Sequence, residues 1–509
     1  MLRVYSILFS EEQINAVLRK MNASCAPGSD TIPMKFWSKM FDKLDVYVAE
    51  LFQDMLNIGY VPDDWKISIV MPLYKNHGSP IEISNYRGIH ILNCLAKIFE
   101  KSIYEYLQSF FARANMLTSN QYGFQRNSST LTNLIRTYDF VLEELDNGRC
   151  VDVVYLDFSK AFDKVQHRIL LGKLISYGIN SYVVRWISNY LSDRFQKVII
   201  NGWESDLLPM SSGVLQGSIL GPFLFKIFIN DLLAAKYQNN ICGFADDTKL
   251  FGVVDPTNSL QLDLDRIEKW CQDNEMVLNR SKCKVIHFGL KNPCHQYYLA
   301  MSPIDSVNSE RDLGVVIDKQ LSFSDHVSRL IPNLYFTAKQ FFLAFSSSSL
   351  KIYRRLYQIY ILPKILYGTP FWHPRFKKDL SRLSKFLNFY TKVAFKKCRI
   401  VSISREQRLQ RLGIEPIEIT LLKRALLYVY KIVQGKVVKP VSFPDIVRSS
   451  TRGHCFKLGV TFCKLDSRKN FFLFRVIKAW NNLPAAVVSS SSISLFKSAL
   501  HRNRLSDFE

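Results

Sequence analysis

An α+β fold carrying an antiparallel sheet, followed by a basic and mainly helical region, is predicted by three observations. Short β-rich runs alternate with long segments whose apolar residues recur every three or four positions. Two adjacent carboxylates sit at a turn between apolar strands. The excess of positive charge is confined to the last third of the chain. From Lys351 onward there are 32 Lys and Arg against 8 Asp and Glu, while the first 350 residues hold 35 against 36, so the whole net charge of +23 belongs to the final segment. A neutral body followed by a basic region implies a polyanionic partner gripped by the second part, with a solvated basic surface as the alternative. The 509 residues allow about two to four domains, and a 48% hydrophobic composition excludes a disordered chain. Ten scattered cysteines without a Cys-x-x-Cys pair read as reduced intracellular thiols and exclude a disulfide scaffold. The apolar run at the amino terminus is too short for a secretory signal.

Taken in order, "SEEQINAVLRKMN" opens on a Ser cap with an acidic first turn and predicts a helix, as does most of the first hundred residues. "ISIVMPLYK" follows as a strand. Residues 92–111 and the run "TLTNLIRTYDFVLEELDNG" have helical spacing, the second ending at Gly148. "CVDVVYLDF" is almost continuously apolar and reads as a central strand. A helix at "KVQHRILLGKLISYG", the strand pair "FQKVIINGW" and "LLPMSSGV", and one helix over 218–235 come next. Lys226, Asn230 and Asp231 interrupt that last segment, which fits a buried amphipathic helix and not a membrane span. "NNICG" and "GVVD" flank the acidic turn as a hairpin, "NSLQLDLDRIEKWCQDNEMVLN" is helical and "KVIHFG" is a strand. From about residue 326 the chain turns helical and basic, with aromatics interleaved among cations; Tyr357, Tyr360 and Tyr367 are read there as core residues.

The hairpin turn holds Asp246 and Asp247. Acidic residues suit a solvated turn, and Glu11-Glu12, Asp63-Asp64 and Glu143-Glu144 are further acidic pairs, so the pair alone does not specify a function. Asp157 ends the central strand, and if that strand lies beside the hairpin, its carboxylate and the Phe158 backbone carbonyl complete an oxygen site of the kind magnesium takes. Two such ions about 4 Å apart activate an attacking hydroxyl and neutralise a leaving phosphate oxygen. Asp163 is assigned to capping or packing of the next helix.

"VVYLDFSKAFDKV", "SGVLQGSILGPFLFKIFINDL" and "GFADDTKLF", in this order, resemble the central motifs of reverse transcriptases from non-LTR retrotransposons, particularly the jockey-like group. "VMPLYKNHGSPIEISNYRGIHILNCLAKIFEK", "QYGFQRNSST", "WCQDNEMVLNRSKCKVIHFG" and "RDLGVVIDKQLSFSDHV" resemble further family motifs, and the resemblance covers about residues 10–505. It implies a right-hand polymerase with an antiparallel palm sheet: an N-terminal helical extension over 1–60, fingers and palm over 61–325, a helical basic thumb over 326–440 and a C-terminal extension over 441–509. It implies Asp157, Asp246 and Asp247 as catalytic metal ligands, Phe162 as a steric gate favouring deoxynucleotides, and Gln216 and Gly217 at the nucleotide and templating pair. Lys75 and Arg87 are implied for triphosphate contact, and Lys282 as a proton donor to pyrophosphate. Leu215 stands where the family has proline, "NYRGI" lacks the proline that commonly follows the arginine, and "GFQR" separates Gly-Phe from its arginine.

The implied activity is RNA-directed DNA synthesis with two Mg2+ ions, or Mn2+, on an RNA template with a DNA primer or target and dNTPs. No membrane is involved, and the implied location is intracellular, nucleus or cytoplasm. An endonuclease, usual ahead of such polymerases, is not found in this sequence. The reading from a different class is a decayed or domesticated element protein that binds nucleic acid without catalysis. An RNA-copying polymerase or an intron-type maturase shares the palm chemistry; Phe162 with the tail segment "FFLFRVIKAWNNLPAAVV" argues against the first, and the jockey-like wording of the whole chain against the second.

Overall fold

The computed structural model describes residues 7–76, 78–440, 443–447, 454–460 and 462–502. Ser10 caps α1 (Glu11–Leu18), its hydroxyl accepting from the Gln13 amide, as the Ser-Glu-Glu opening predicts. The following elements in chain order are α2 (Met34–Ile58), β1 (Ile67–Tyr74), β2 (Tyr86–Ile91), α3 (Cys94–Ala114) and α4 (Thr130–Asp146). Next come β3 (Val151–Leu156), α5 (His167–Ser176), α6 (Ser181–Leu191), β4 (Arg194–Ile200) and β5 (Leu208–Met210). They lead to α7 (Gly221–Phe228), α8 (Asn230–Ala234), β6 (Asn240–Phe244), β7 (Asp247–Val253) and α9 (Ser259–Asp273). The remainder includes β8 (Lys284–Phe288), β9 (Asp305–Ser306), β10 (Ser309–Asp312), β11 (Val315–Asp318), α10 (Ser324–Ala344), α11 (Lys377–Lys397) and α12 (Ile417–Val433).

The chain divides into two compact units interleaved in sequence. The first comprises the described parts of 1–124 with 156–248 and 262–282; the second comprises 125–155, 249–261 and the described parts of 283–509. In the first, β1 pairs antiparallel with β2 and parallel with β4, and β4 pairs antiparallel with β5, as the sequence pattern of two facing runs indicates. Phe52, Phe99 and Trp186 form its aromatic core, with ring centroids 4.7 and 4.6 Å apart in successive pairs. In the second unit β9, β8, β3 and β7 lie side by side in that order, β8 antiparallel to β3 and parallel to β9. β3 is interior to its sheet, which accounts for its unbroken apolar run.

Two expectations change. The single helix over 218–235 is two, because Ile229 at ψ −3 breaks the run. Asn230 then turns its side chain inward, accepting from the Thr118 amide at 2.9 Å and donating to the Met116 carbonyl at 3.0 Å. Of the three tyrosines read as core, Tyr357 is buried, while Tyr360 and Tyr367 are half exposed. Among the described residues no helix is long and apolar enough to cross a membrane.

Candidate active site

Every catalytic, metal-binding or nucleotide-binding residue expected from the sequence falls in the first unit. Asp157 follows β3, and its backbone is gripped by the segment after α9: the Asn279 amide donates to the Asp157 carbonyl at 2.7 Å, and the Ser159 amide donates to the Val277 carbonyl at 2.8 Å. These two bonds form the antiparallel bridge Phe158–Leu278 without using the Phe158 carbonyl. Phe158 itself is buried with its ring edge-on to Trp270. The same pairing carries Lys282 to the site, where its Nζ lies 3.4 Å from Asp157 Oδ2.

The second carboxylate comes from the turn between β6 and β7. Ala245 there has φ 58, a left-handed value, as two-residue hairpin turns demand of at least one central residue and usually satisfy with glycine. Gln121, fully buried, holds this backbone at both ends: its Oε1 accepts from the Ala245 amide at 3.0 Å and its Nε2 donates to the Ala245 carbonyl at 3.1 Å. Oε1 also accepts from the Gly123 amide at 2.7 Å. A Cβ on Gly123 would stand 2.3 Å from the Ala245 nitrogen, so only glycine permits this approach. Burial pushes the Asp246 carboxyl above the ordinary carboxylate range, and the neighbouring Asp157 charge adds to the rise. Its own backbone amide, Arg87 and Lys282 act in the opposite direction. Asp157, Arg87 and Lys282 are therefore all within electrostatic reach of Asp246. Asp247 is exposed at the first position of β7.

Phe162 stacks on Phe225 of α7 at 4.5 Å and 16°, with the Phe124 ring edge-on at 6.5 Å. Asp163 does not cap the next helix as expected, since α5 has Gln166 at its N-cap; instead Gln216 Nε2 lies 3.4 Å from Asp163 Oδ1. The Gln216 carbonyl accepts from the His90 amide of β2 at 2.7 Å. Gly217 has φ 116, and a Cβ there would be 2.5 Å from the His90 oxygen. The close approach that requires glycine is thus to β2. Lys75 is spent locally, its Nζ donating to the Ser84 carbonyl at 2.8 Å, whereas Arg87, opposite Leu73 in the β1–β2 register, reaches the Asp246 field.

Two supports were missed in the sequence. Gln121 is one. Glu100, buried in α3, is the other: its carboxylate accepts from the amides of Ile219 and Leu220 at 2.9 and 3.3 Å and from the Tyr190 hydroxyl at 3.0 Å. It thereby orders the loop that leads from Gly217 into α7. A buried acid in an otherwise apolar helical stripe was the only sequence signal for it.

Carboxylates beside a guanidinium and an ammonium suit a reaction that brings together hard cations and polyphosphate. Hard-oxygen donors at Asp157, Asp246 and Asp247 fit magnesium chemically. Among the described residues, however, no three His, Cys, Asp or Glu side chains close into one ligand group.

Residues 74–323 match the family model described as reverse transcriptase (RNA-dependent DNA polymerase). The chain is 27% identical over 332 residues to the RNA-directed DNA polymerase from mobile element jockey of Drosophila melanogaster, covering 63% of this chain and 36% of that protein. It is 25% identical over 409 residues to the probable RNA-directed DNA polymerase from transposon BS of the same organism, covering 74% and 43%. A retrovirus-related Pol polyprotein from the type-1 retrotransposable element R2 of Popillia japonica is 25% identical over 281 residues, covering 55% and 37%. The chain thus spans less than half the length of these relatives.

Proposed function

We propose that this chain is a reverse transcriptase of the jockey-like non-LTR branch, to which its relatives and its family match point, and that it extends a primer 3′-hydroxyl with dNTPs on an RNA template. The observation that carries the reading is the convergence of Asp157, Asp246, Arg87 and Lys282 inside the segment that matches the family. Asp157, Asp246 and Asp247, with the Phe158 carbonyl, would hold divalent magnesium or manganese, and two such ions supply hydroxyl activation and neutralisation of the leaving pyrophosphate.

The chain's own residues do the rest. Arg87 places a fixed positive charge where the triphosphate lies, offsetting the charge that develops on its leaving end. Lys75 would join it after releasing the Ser84 carbonyl. Lys282, held 3.4 Å from Asp157, would give a proton to departing pyrophosphate. Phe162, braced by Phe225, fills the place of a ribose 2′-hydroxyl. Gln216 faces the nascent pair from a turn pinned to β2. The basic region from about residue 326 grips the template-primer backbone, in the manner of a thumb with an extension, and the setting is the nucleus or cytoplasm.

Primer extension on oligo(dT)-primed poly(rA) with magnesium and dTTP tests the reading. Extension that disappears in Asp246→Asn supports it. A folded wild-type chain that binds the duplex and extends nothing would replace it with noncatalytic nucleic-acid binding.

A further inference from the structure

The second unit holds a cavity of about 390 Å³ between the start of α4, residues 366–370 and the end of α12 with the turn after it. Arg424, Lys431 and Lys436 face into it, and no carboxylate is among its described lining residues. Arg424 and Lys431 are seven residues apart, two turns along one face of α12. Lys436 is folded back by a bond from its amide to the Lys431 carbonyl at 2.8 Å. Burial pushes the Arg424 guanidinium and the Lys431 ammonium below their ordinary values, and for Lys431 the charges of Arg424 and Lys497 add to the shift.

The compensation pattern nearby is selective. Lys423, on the same helix, is paired with Glu415, and Lys439 lies 3.8 Å from Asp445. Among the described residues the three cations at the cavity have no acidic partner. Opposite them, α4 opens with Ser129 and Thr130 on the wall; Ser129 Oγ accepts from the Thr132 amide, and the other first-turn amides have no intrahelical acceptor. Of the two tyrosines on the wall, the Tyr428 ring is packed edge-on to Phe472, and the half-exposed Tyr367 donates its hydroxyl to the Leu313 carbonyl at 2.7 Å, so the walls offer cations, hydroxyls and amides beside one exposed ring.

We propose that this cavity is a phosphate-recognition site that takes a phosphodiester group of a nucleic-acid strand, separate from the Asp157–Asp246 centre. The assignment of a polynucleotide, as opposed to free nucleotide, rests on the reading of the chain as a nucleic-acid polymerase and on the charge excess of its last third.

The test uses the full chain and a labelled single-stranded RNA oligonucleotide, without metal or nucleotide, titrated across a KCl series. Arg424→Gln/Lys431→Gln/Lys436→Gln should lower the slope of log K against log salt by about 2, since each neutralised phosphate contributes about 0.7 on a single strand. A charge-matched control, Lys377→Gln/Lys392→Gln/Lys397→Gln on α11, should lower it less; an equal loss in both overturns the site. Lysine acetylation of the wild type provides a readout that needs no variant to fold. RNA should protect Lys431 and Lys436, and protection by dTTP but not by RNA overturns the polynucleotide assignment. Primer extension is scored separately. Unprotected lysines in a chain that extends primers remove only this site, and protected lysines in a chain that does not extend them keep the site and remove the polymerase reading.

Discussion

Ala245 adopts a conformation that costs an L-residue about 1–2 kcal/mol, and the Gln121 side chain offsets it by satisfying both backbone groups of that residue. Gln121→Ala leaves the Ala245 amide buried without its acceptor. The expected result is a primer-extension rate lower by about 10- to 100-fold, because small misplacements of a reacting group carry penalties of that size. RNA affinity should be unchanged. Gln121→Glu, which retains the acceptor for both amides but loses the donor, should recover part of the rate; full activity in Gln121→Ala would remove the positioning role. On the proposal that the Phe162 ring excludes a 2′-hydroxyl by bulk, Phe162→Val should narrow the preference for dTTP over UTP by about 10- to 100-fold, measured as a ratio of kcat/KM. The acids were legible in the sequence because their chemistry is carried by residue type. Gln121 was quoted within a motif but given no task, because its partner Ala245 is 124 positions away.

At the scale of elements, the loop 215–220 is fixed from two sides, by β2 through Gln216 and by α3 through Glu100. Gly217→Ala meets the His90 carbonyl at 2.5 Å in a backbone conformation unfavourable to any side chain, and should cost about 3 kcal/mol or more in urea unfolding. Glu100→Leu keeps the bulk but leaves the Ile219 and Leu220 amides without their acceptor, an expected loss of about 2 kcal/mol or more. A melting curve unchanged in either variant would contradict these supports. β3 was legible as an interior strand from its apolar continuity, and the acidic hairpin from its flanking runs. β2 was not singled out as a strand, since "NYRGIHI" carries little β pattern of its own and is ordered by β1 and by the loop that docks on it. The break between α7 and α8 was hidden for a similar reason: Asn230 chooses distant backbone partners over helix continuity.

For the whole molecule, histidines drawn out of water, among them the buried His90 and His326 and the half-buried His373, predict acid sensitivity. Burial first, and a nearby arginine second, lower His90 and His326 to about 4 and His373 to about 3. Their contribution is complete above pH 6.5, the unfolded value, and is lost as pH falls toward the folded values, because the unfolded chain takes up protons that the folded chain refuses. The melting temperature should fall between pH 7 and pH 4.5, and His326→Gln should flatten that fall; an unchanged slope in the variant would count against the account. Nucleic-acid affinity should also drop steeply with salt, as the concentration of charge after Lys351 requires, and binding indifferent to salt between low and physiological levels would refute a phosphate grip. The sequence by itself determined the order of motifs, the identity of the acids and the partition of charge, because those properties reside in residue type and short spacing. Only the tertiary structure decided that Arg87 and Lys282 share a field with Asp157 and Asp246, that Lys75 is bound locally, and that Gln121 and Glu100 hold the site's loops. Those facts depend on which distant backbone groups meet in the folded chain, and local pattern does not encode such pairings.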